Sequence, residues 1–220
     1  MPMTIRSMAA FALAAIATSA CGRSIQQAAN AGTQSGAPLT PAEQARADHG
    51  QMPFTAADVK FMQGMIHHHA QAIVMADWAQ THGARSDVKI LAQRIDVAQR
   101  DEIAFMQRWL KERGQTVPEP MEMQPGMAGM PGMPDSELMP GMLTAAQMAA
   151  LDSARGPEFD RLFLTGMIQH HQGAITMVNQ LFATPGAGQE LYVFRFASDV
   201  NADQQTEIDR MRRMLGAAAQ

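Results

Sequence analysis

The stretch Asp58-Val59-Lys60-Phe61-Met62-Gln63-Gly64-Met65-Ile66-His67-His68-His69-Ala70-Gln71-Ala72-Ile73-Val74-Met75 decides the fold. It returns 102 residues later as Asp160-x-x-Phe163-x-x-Gly166-Met167-Ile168-x-His170-His171-x-x-Ala174-Ile175-x-Met177. Nine or more identities at fixed spacing make each half one copy of a single unit. A second segment repeats too: Gln99-x-x-Glu102-Ile103-x-x-Met106-x-x-x-Leu110 matches Gln204-x-x-Glu207-Ile208-x-x-Met211-x-x-x-Leu215, now at an offset of 105. The extra three residues fall between the paired segments, at Thr81 to Ser86 and Thr184 to Gln189.

Apolar residues recur at spacings of three and four in all four segments, which predicts helices. Gly83, Pro185-Gly186 and Gly114 mark their stops. A helical hairpin of this length cannot bury its apolar face alone. The two copies, at 55–117 and 143–220, are therefore expected to pair into an all-α four-helix bundle made of two repeated hairpins.

At 100° per residue, Met65, His68, His69, Ala72 and Met75 share one stripe, with the two imidazoles on either side of its centre. His67 lies nearly opposite Met65 and is replaced by Gln169 in the second copy, so it reads as solvent-facing. A lone histidine on such a stripe is usually a hydrogen-bonded core residue. Here His68, His69, His170 and His171 occupy equivalent positions in two copies, and four buried imidazoles leave many ring nitrogens to satisfy. Metal binding is the expected use. Imidazole suits copper, zinc, iron and nickel, whereas thioether sulfur selects Cu(I), so Met65, Met75, Met167 and Met177 are candidate soft ligands or packing residues.

A di-iron carboxylate bundle needs Glu-x-x-His on two helices, and no Glu here has a His three residues later. Glu102 and Glu207 are the repeated helix carboxylates, placed either to accept from the far ring nitrogen of a ligating histidine or to pair with a surface Arg. No nucleophile with an adjacent base and no Gly-rich phosphate loop emerges, so binding rather than catalysis is expected.

Residues 118–142 are too rich in Pro and Gly to hold a helix or central strand, and read as a linker. They carry Met121, Met123, Met127, Met130, Met133, Met139 and Met142, part of a total of 20 methionines that stands out against 5% aromatics. Exposed thioethers so spaced suit transient capture of Cu(I); a connector that happens to use Met is the alternative.

Ahead of the repeats, Arg6, an apolar run from Met8 to Ala17 and the small residues Thr18, Ser19 and Ala20 read as a signal peptide over 1–20. Cys21, the single cysteine, follows directly and is a candidate lipid-attachment site; ordinary cleavage after Ala20 is the alternative. Residues 21–54 read as a flexible tether. The chain is thus expected in the periplasm or cell envelope, touching a membrane only through such an anchor. A net charge of -4 without Lys/Arg clusters points away from nucleic acid.

With Gly64-Met65-Ile66-His67-His68-His69, Gly166-Met167-Ile168-Gln169-His170-His171 and the Glu-Ile-x-x-Met motif after each, the chain resembles the bacterial domain of unknown function 305 family. The resemblance runs from Thr55 to Leu215. It implies a ferritin-like four-helix bundle and, from members of the CopM type, copper binding outside the cytoplasm. Carried over by position, it implies His68, His69, His170, His171, Met65, Met75, Met167 and Met177 as ligands. The expected partners are the metal ion and a periplasmic protein that gives or takes it, with oligomeric state open. Copper as Cu(I) or Cu(II) leads, zinc or no metal being the alternatives; a metal-free interaction module and a metal-dependent redox enzyme are the competing functions. Because a histidine ligand must be neutral, binding is expected to weaken as pH falls through about 6.5.

Overall fold

The computed structural model describes residues 52–118 and 138–218, together with Thr40, Pro41 and Gln44. The leader, Cys21, most of the tether, and Met121, Met123, Met127, Met130 and Met133 lie outside the described residues. Among the described residues five helices follow in order: α1 (Ala56–Thr81), α2 (Ser86–Glu112), α3 (Ala145–Ser153), α4 (Pro157–Ala183) and α5 (Leu191–Ala218). None is long and apolar enough to cross a membrane.

The stops fall where the glycines predict. His82 ends α1 and Gly83 follows at φ 73°; Gly114, at φ 64°, follows α2. These left-handed conformations exclude most side chains, so the chain turns there. At the other end of α1, Thr55 forms a capping box with Asp58.

α1 packs on α2, α4 on α5, and α1 on α4 across the middle of an all-α four-helix bundle. Phe61, Met62, Met65 and Ile66 from the start of α1 share an apolar cluster with Ala174, Met177, Val178 and Leu181 from the end of α4. A second cluster joins the end of α1, through Ala72 to Ala79, to the start of α4 at Phe159 to Met167. The two central helices therefore run antiparallel, and the copies are related by an approximate two-fold axis between the clusters.

Two differences from the sequence reading bear on the site. The short helix α3, capped by a Thr144–Gln147 box, opens the second half ahead of its hairpin and packs on α4 and α1. The segment leading into it, from Leu138 to Thr144, is seated on the bundle. Leu143 N–H donates to Gln71 Oε1 (2.7 Å) and the Leu143 carbonyl accepts from Gln71 Nε2 (2.9 Å), both buried. Gly141 sits at φ 75° against α4, and a Cβ on Gly173 would collide with the Pro140 carbonyl. Only glycine at both positions lets the backbones approach so closely.

The repeated aspartates lock each copy to the other's loop. Asp58, fully buried, accepts from Gly188 N–H (2.6 Å) in the α4–α5 loop and from Thr55 N–H (2.7 Å). Asp160 accepts from Arg85 N–H (3.2 Å) just before α2. Charge-assisted bonds to buried amides are worth about 1.5–3 kcal/mol each. Asp58→Ala is therefore expected to lower the unfolding free energy by about 3 kcal/mol, read by urea denaturation. A loss below about 1 kcal/mol would mean that the loop holds without it.

Candidate metal centre

Between the two apolar clusters lies a polar layer contributed by all four long helices. α1 supplies His68 and His69, α4 His170 and His171, α2 Gln99 and Glu102, and α5 Gln204 and Glu207. The four histidines are fully buried, and Gln99 and Gln204 nearly so. His68 faces its counterpart His170, and Gln99 and Glu102 share one cavity wall with Gln204 and Glu207.

Every layer histidine meets an oxygen acceptor at Nε2. His171 Nε2 donates to Glu207 Oε2 (2.6 Å). His69 Nε2 is 2.6 Å from Glu102 Oε2, at ion-pair distance but off the line of a hydrogen bond. His170 Nε2 donates to the His68 carbonyl (2.8 Å) and His68 Nε2 to the Pro140 carbonyl (3.0 Å). Carboxylate and carbonyl oxygens can only accept, which puts a proton on Nε2 of His68, His170 and His171 and makes Nδ1 of the neutral ring a bare lone pair. No protein donor reaches Nδ1 of His68, His69, His170 or His171, and Gln99 Oε1 and Gln204 Oε1 are also without a partner. An unpartnered buried acceptor costs about 1–3 kcal/mol. Six unpartnered nitrogen and oxygen atoms thus share one buried layer.

The electrostatics agree. Burial, reinforced by neighbouring His69, lowers His68 to about 3. Burial, then His68 and His171, hold His170 well below the usual imidazole range. Both rings therefore stay neutral and able to ligate in mild acid. On the α2–α5 side a cavity of about 260 Å³ is lined by Gln99, Glu102, Asp203, Gln204 and Glu207, with Arg94 and Arg210 beside them. Burial, then Glu102, raises the Asp203 carboxyl, a sign of the negative potential there. On the opposite side the Leu138–Thr144 segment covers the layer.

The His68 and His170 rings lie 3.9 Å apart between centroids, while His69 and His171 stand 6.3 and 6.2 Å from their chain neighbours. Among the described residues no three His, Cys, Asp or Glu side chains are grouped to hold one ion as they stand. The methionines divide: Met65 and Met177 belong to one apolar cluster, Met75 and Met167 to the other. Of the two described linker methionines, Met142 is buried and Met139 half-buried, so neither is the freely exposed thioether that the linker reading expects. His67 is half-buried, its Nδ1 wholly so, where a solvent-facing residue is expected.

Gln99, Gln204, Pro140 and Asp203 join the layer without having been singled out as site residues. The repeated Gln-x-x-Glu spacing was a signal for the two glutamines. The Pro140 carbonyl has none, since it comes from an irregular segment.

Known proteins are similar to most of this chain. The model of Domain of unknown function (DUF305) matches residues 58–215. A DUF305 fragment from Deinococcus radiodurans is 32% identical, with TM-score 0.61, over 75% of this chain and 99% of that one. CopM in a Cu(I)-bound form is 25% identical, with TM-score 0.54, over 75% of this chain and 98% of CopM. CopM in a Cu(II)-bound form gives 29%, TM-score 0.53, and coverage of 71% and 94%. No match is found among curated proteins.

Proposed function

The chain belongs to the DUF305 family, and from that premise we propose that it binds copper at the histidine layer and buffers or passes on the ion outside the cytoplasm. The carrying observation is the set of four buried Nδ1 lone pairs without a donor. Copper-bound CopM, similar over nearly its whole length, supports the choice of ion.

Each residue has a part in this reading. His68, His69, His170 and His171 present Nδ1 to the ion. Glu207 accepts from the far nitrogen of His171, holding its tautomer and raising the basicity of the ligating one, and Glu102, at ion-pair distance from His69, takes the same part in the first copy. The His68 and Pro140 carbonyls do the same for His170 and His68. Met65, Met75, Met167 and Met177 give the layer a soft lining that favours copper, Cu(I) above all, over zinc. The acidic cavity between α2 and α5 draws the cation in. Met121 to Met133 add Cu(I) capture along the linker, and export through the leader places the protein where the ion is met.

Titration of the mature protein with Cu(I) under nitrogen, Cu(II) and Zn(II), each against a chelator of known affinity, tests the proposal. Copper is expected to bind tightly in at least one oxidation state and to outcompete zinc. No copper uptake beyond that of a scrambled methionine peptide would overturn it. Within the layer, Glu102→Gln with Glu207→Gln is expected to weaken copper by about 10–100-fold while leaving the fold intact. An unchanged affinity would make the two carboxylates mere rim charges.

A further inference from the structure

The two copies differ where the Leu138–Thr144 segment crosses them. At Gly64 the space that a Cβ would occupy has Met139 Sδ at 3.3 Å and Met177 Cε at 3.5 Å. At Gly166, its repeat counterpart, the neighbours are Leu143 Cδ2 at 2.9 Å and Met75 Cε at 3.3 Å. The segment thus straddles the two-fold axis, setting a thioether on one side and an aliphatic carbon on the other. The next difference falls beside it. In the second copy Gln169 is engaged: its Nε2 faces the Gly141 and Met142 carbonyls (3.4 and 3.3 Å), and its Oε1 accepts from Gln147 (3.1 Å). In the first copy the same position is His67, whose buried Nδ1 has no partner.

His67, Met139, Met177 and Gly64 line one cavity of about 510 Å³ between α1 and α4, with no carboxylate in its wall and the exposed Lys60 as its one Lys or Arg. Two thioethers and an imidazole without negative charge form a neutral, soft donor set. Such a set suits a monovalent soft cation and offers little to Zn(II) or other harder divalent ions. Packing accounts for methionine anywhere in a core. It does not account for the side on which Met and His replace Leu and Gln being also the side with the roomier cavity, about 510 Å³ against about 260 Å³ around Leu143, Gly166 and Gln169, and with an orphaned ring nitrogen.

We propose that His67, Met139 and Met177 form a second metal site, specific for a monovalent soft cation of the Cu(I) type and separate from the histidine layer. Met139 is joined directly to Pro140, whose carbonyl holds His68, so the site abuts the layer: Met177 stands between the two, and no ligand histidine is shared.

Silver(I) is the redox-inert probe. The full chain with methyl-13C methionine is titrated and followed by NMR, alongside a variant carrying His68→Gln, His69→Gln, His170→Gln and His171→Gln. The Met139 and Met177 methyl signals are expected to shift together within the first equivalents in both proteins. Their persistence in the fourfold variant separates this site from the layer. His67→Gln, copying Gln169, is expected to weaken silver there by at least about tenfold, and Met139→Leu, copying Leu143, to abolish the Met177 shift. Helicity by circular dichroism checks that both variants fold. Met139 and Met177 signals that move independently or only after the other methionines are saturated, or a His67→Gln variant that binds like the parent, would overturn the site.

Discussion

Replacing His68, His69, His170 and His171 together by Gln is expected to lower Cu(II) affinity by at least about a thousandfold, on the order of 4 kcal/mol, with helix content retained. The layer holds the imidazoles that α1 and α4 carry into the bundle core, and the thioethers beside them are poor ligands for a divalent ion. Glutamine keeps a polar group of similar length, so the layer remains filled. Removing four unpartnered buried Nδ1 atoms also lifts a folded-state penalty. The metal-free variant is therefore expected to be no less stable than the parent. Competition titration reads the affinity and urea denaturation the stability; parental Cu(II) affinity in the variant would move the site out of the layer.

The second large effect is on pH. In the unfolded chain His68 and His170 take up protons near pH 6.5. In the fold His68 stays neutral down to about 3, and His170 also charges only well below the usual range. Across that window the unfolded state binds more protons, so these two residues cost the metal-free protein nothing above about pH 6.5 and destabilise it progressively as pH falls towards 3. Two protons correspond to about 3 kcal/mol per pH unit, enough to unfold a domain of ordinary stability within a few units. Burial of His67 acts in the same direction. Denaturation midpoints at pH 7.5, 6 and 5 are expected to fall steeply in the parent and much less in the fourfold Gln variant. Equal slopes would show that carboxylates alone set the acid limit. Proton competition at His68 and His170 begins below the 6.5 of a free imidazole, so at these two residues loss of a bound ion in acid is expected to follow loss of the fold.

The repeat made the bundle legible, because only a packed pair of hairpins explains two copies of Asp58 to Met75 with matched partner helices. The histidine layer was legible for the same reason: helical periodicity turns His68 and His69 inward in both copies, and the Gln-x-x-Glu spacing brings Glu102 and Glu207 to them. What periodicity does not carry is the covering of a helix by irregular chain. His67 points away from the helix partners, yet the Leu138–Thr144 segment and the end of α4 enclose it. The same segment supplies the Pro140 carbonyl and buries Met142, although its Pro and Gly content reads as a free linker. The exchange of Asp58 and Asp160 between copies was hidden likewise, since each partner is a backbone amide more than seventy positions away in sequence.

The central claim is that Nδ1 of the four layer histidines takes the ion. Nitrogen-15 NMR of the imidazoles, before and after addition of one equivalent of Cu(I) under nitrogen, addresses it directly, because Cu(I) is diamagnetic and the two ring nitrogens are resolved. Before addition, His68, His69, His170 and His171 are expected to show a protonated Nε2 and a bare Nδ1. After addition, the Nδ1 signals of layer histidines from both α1 and α4 should move to metal-bound positions while Nε2 keeps its proton. Nδ1 signals that stay unchanged while copper is taken up would contradict the account.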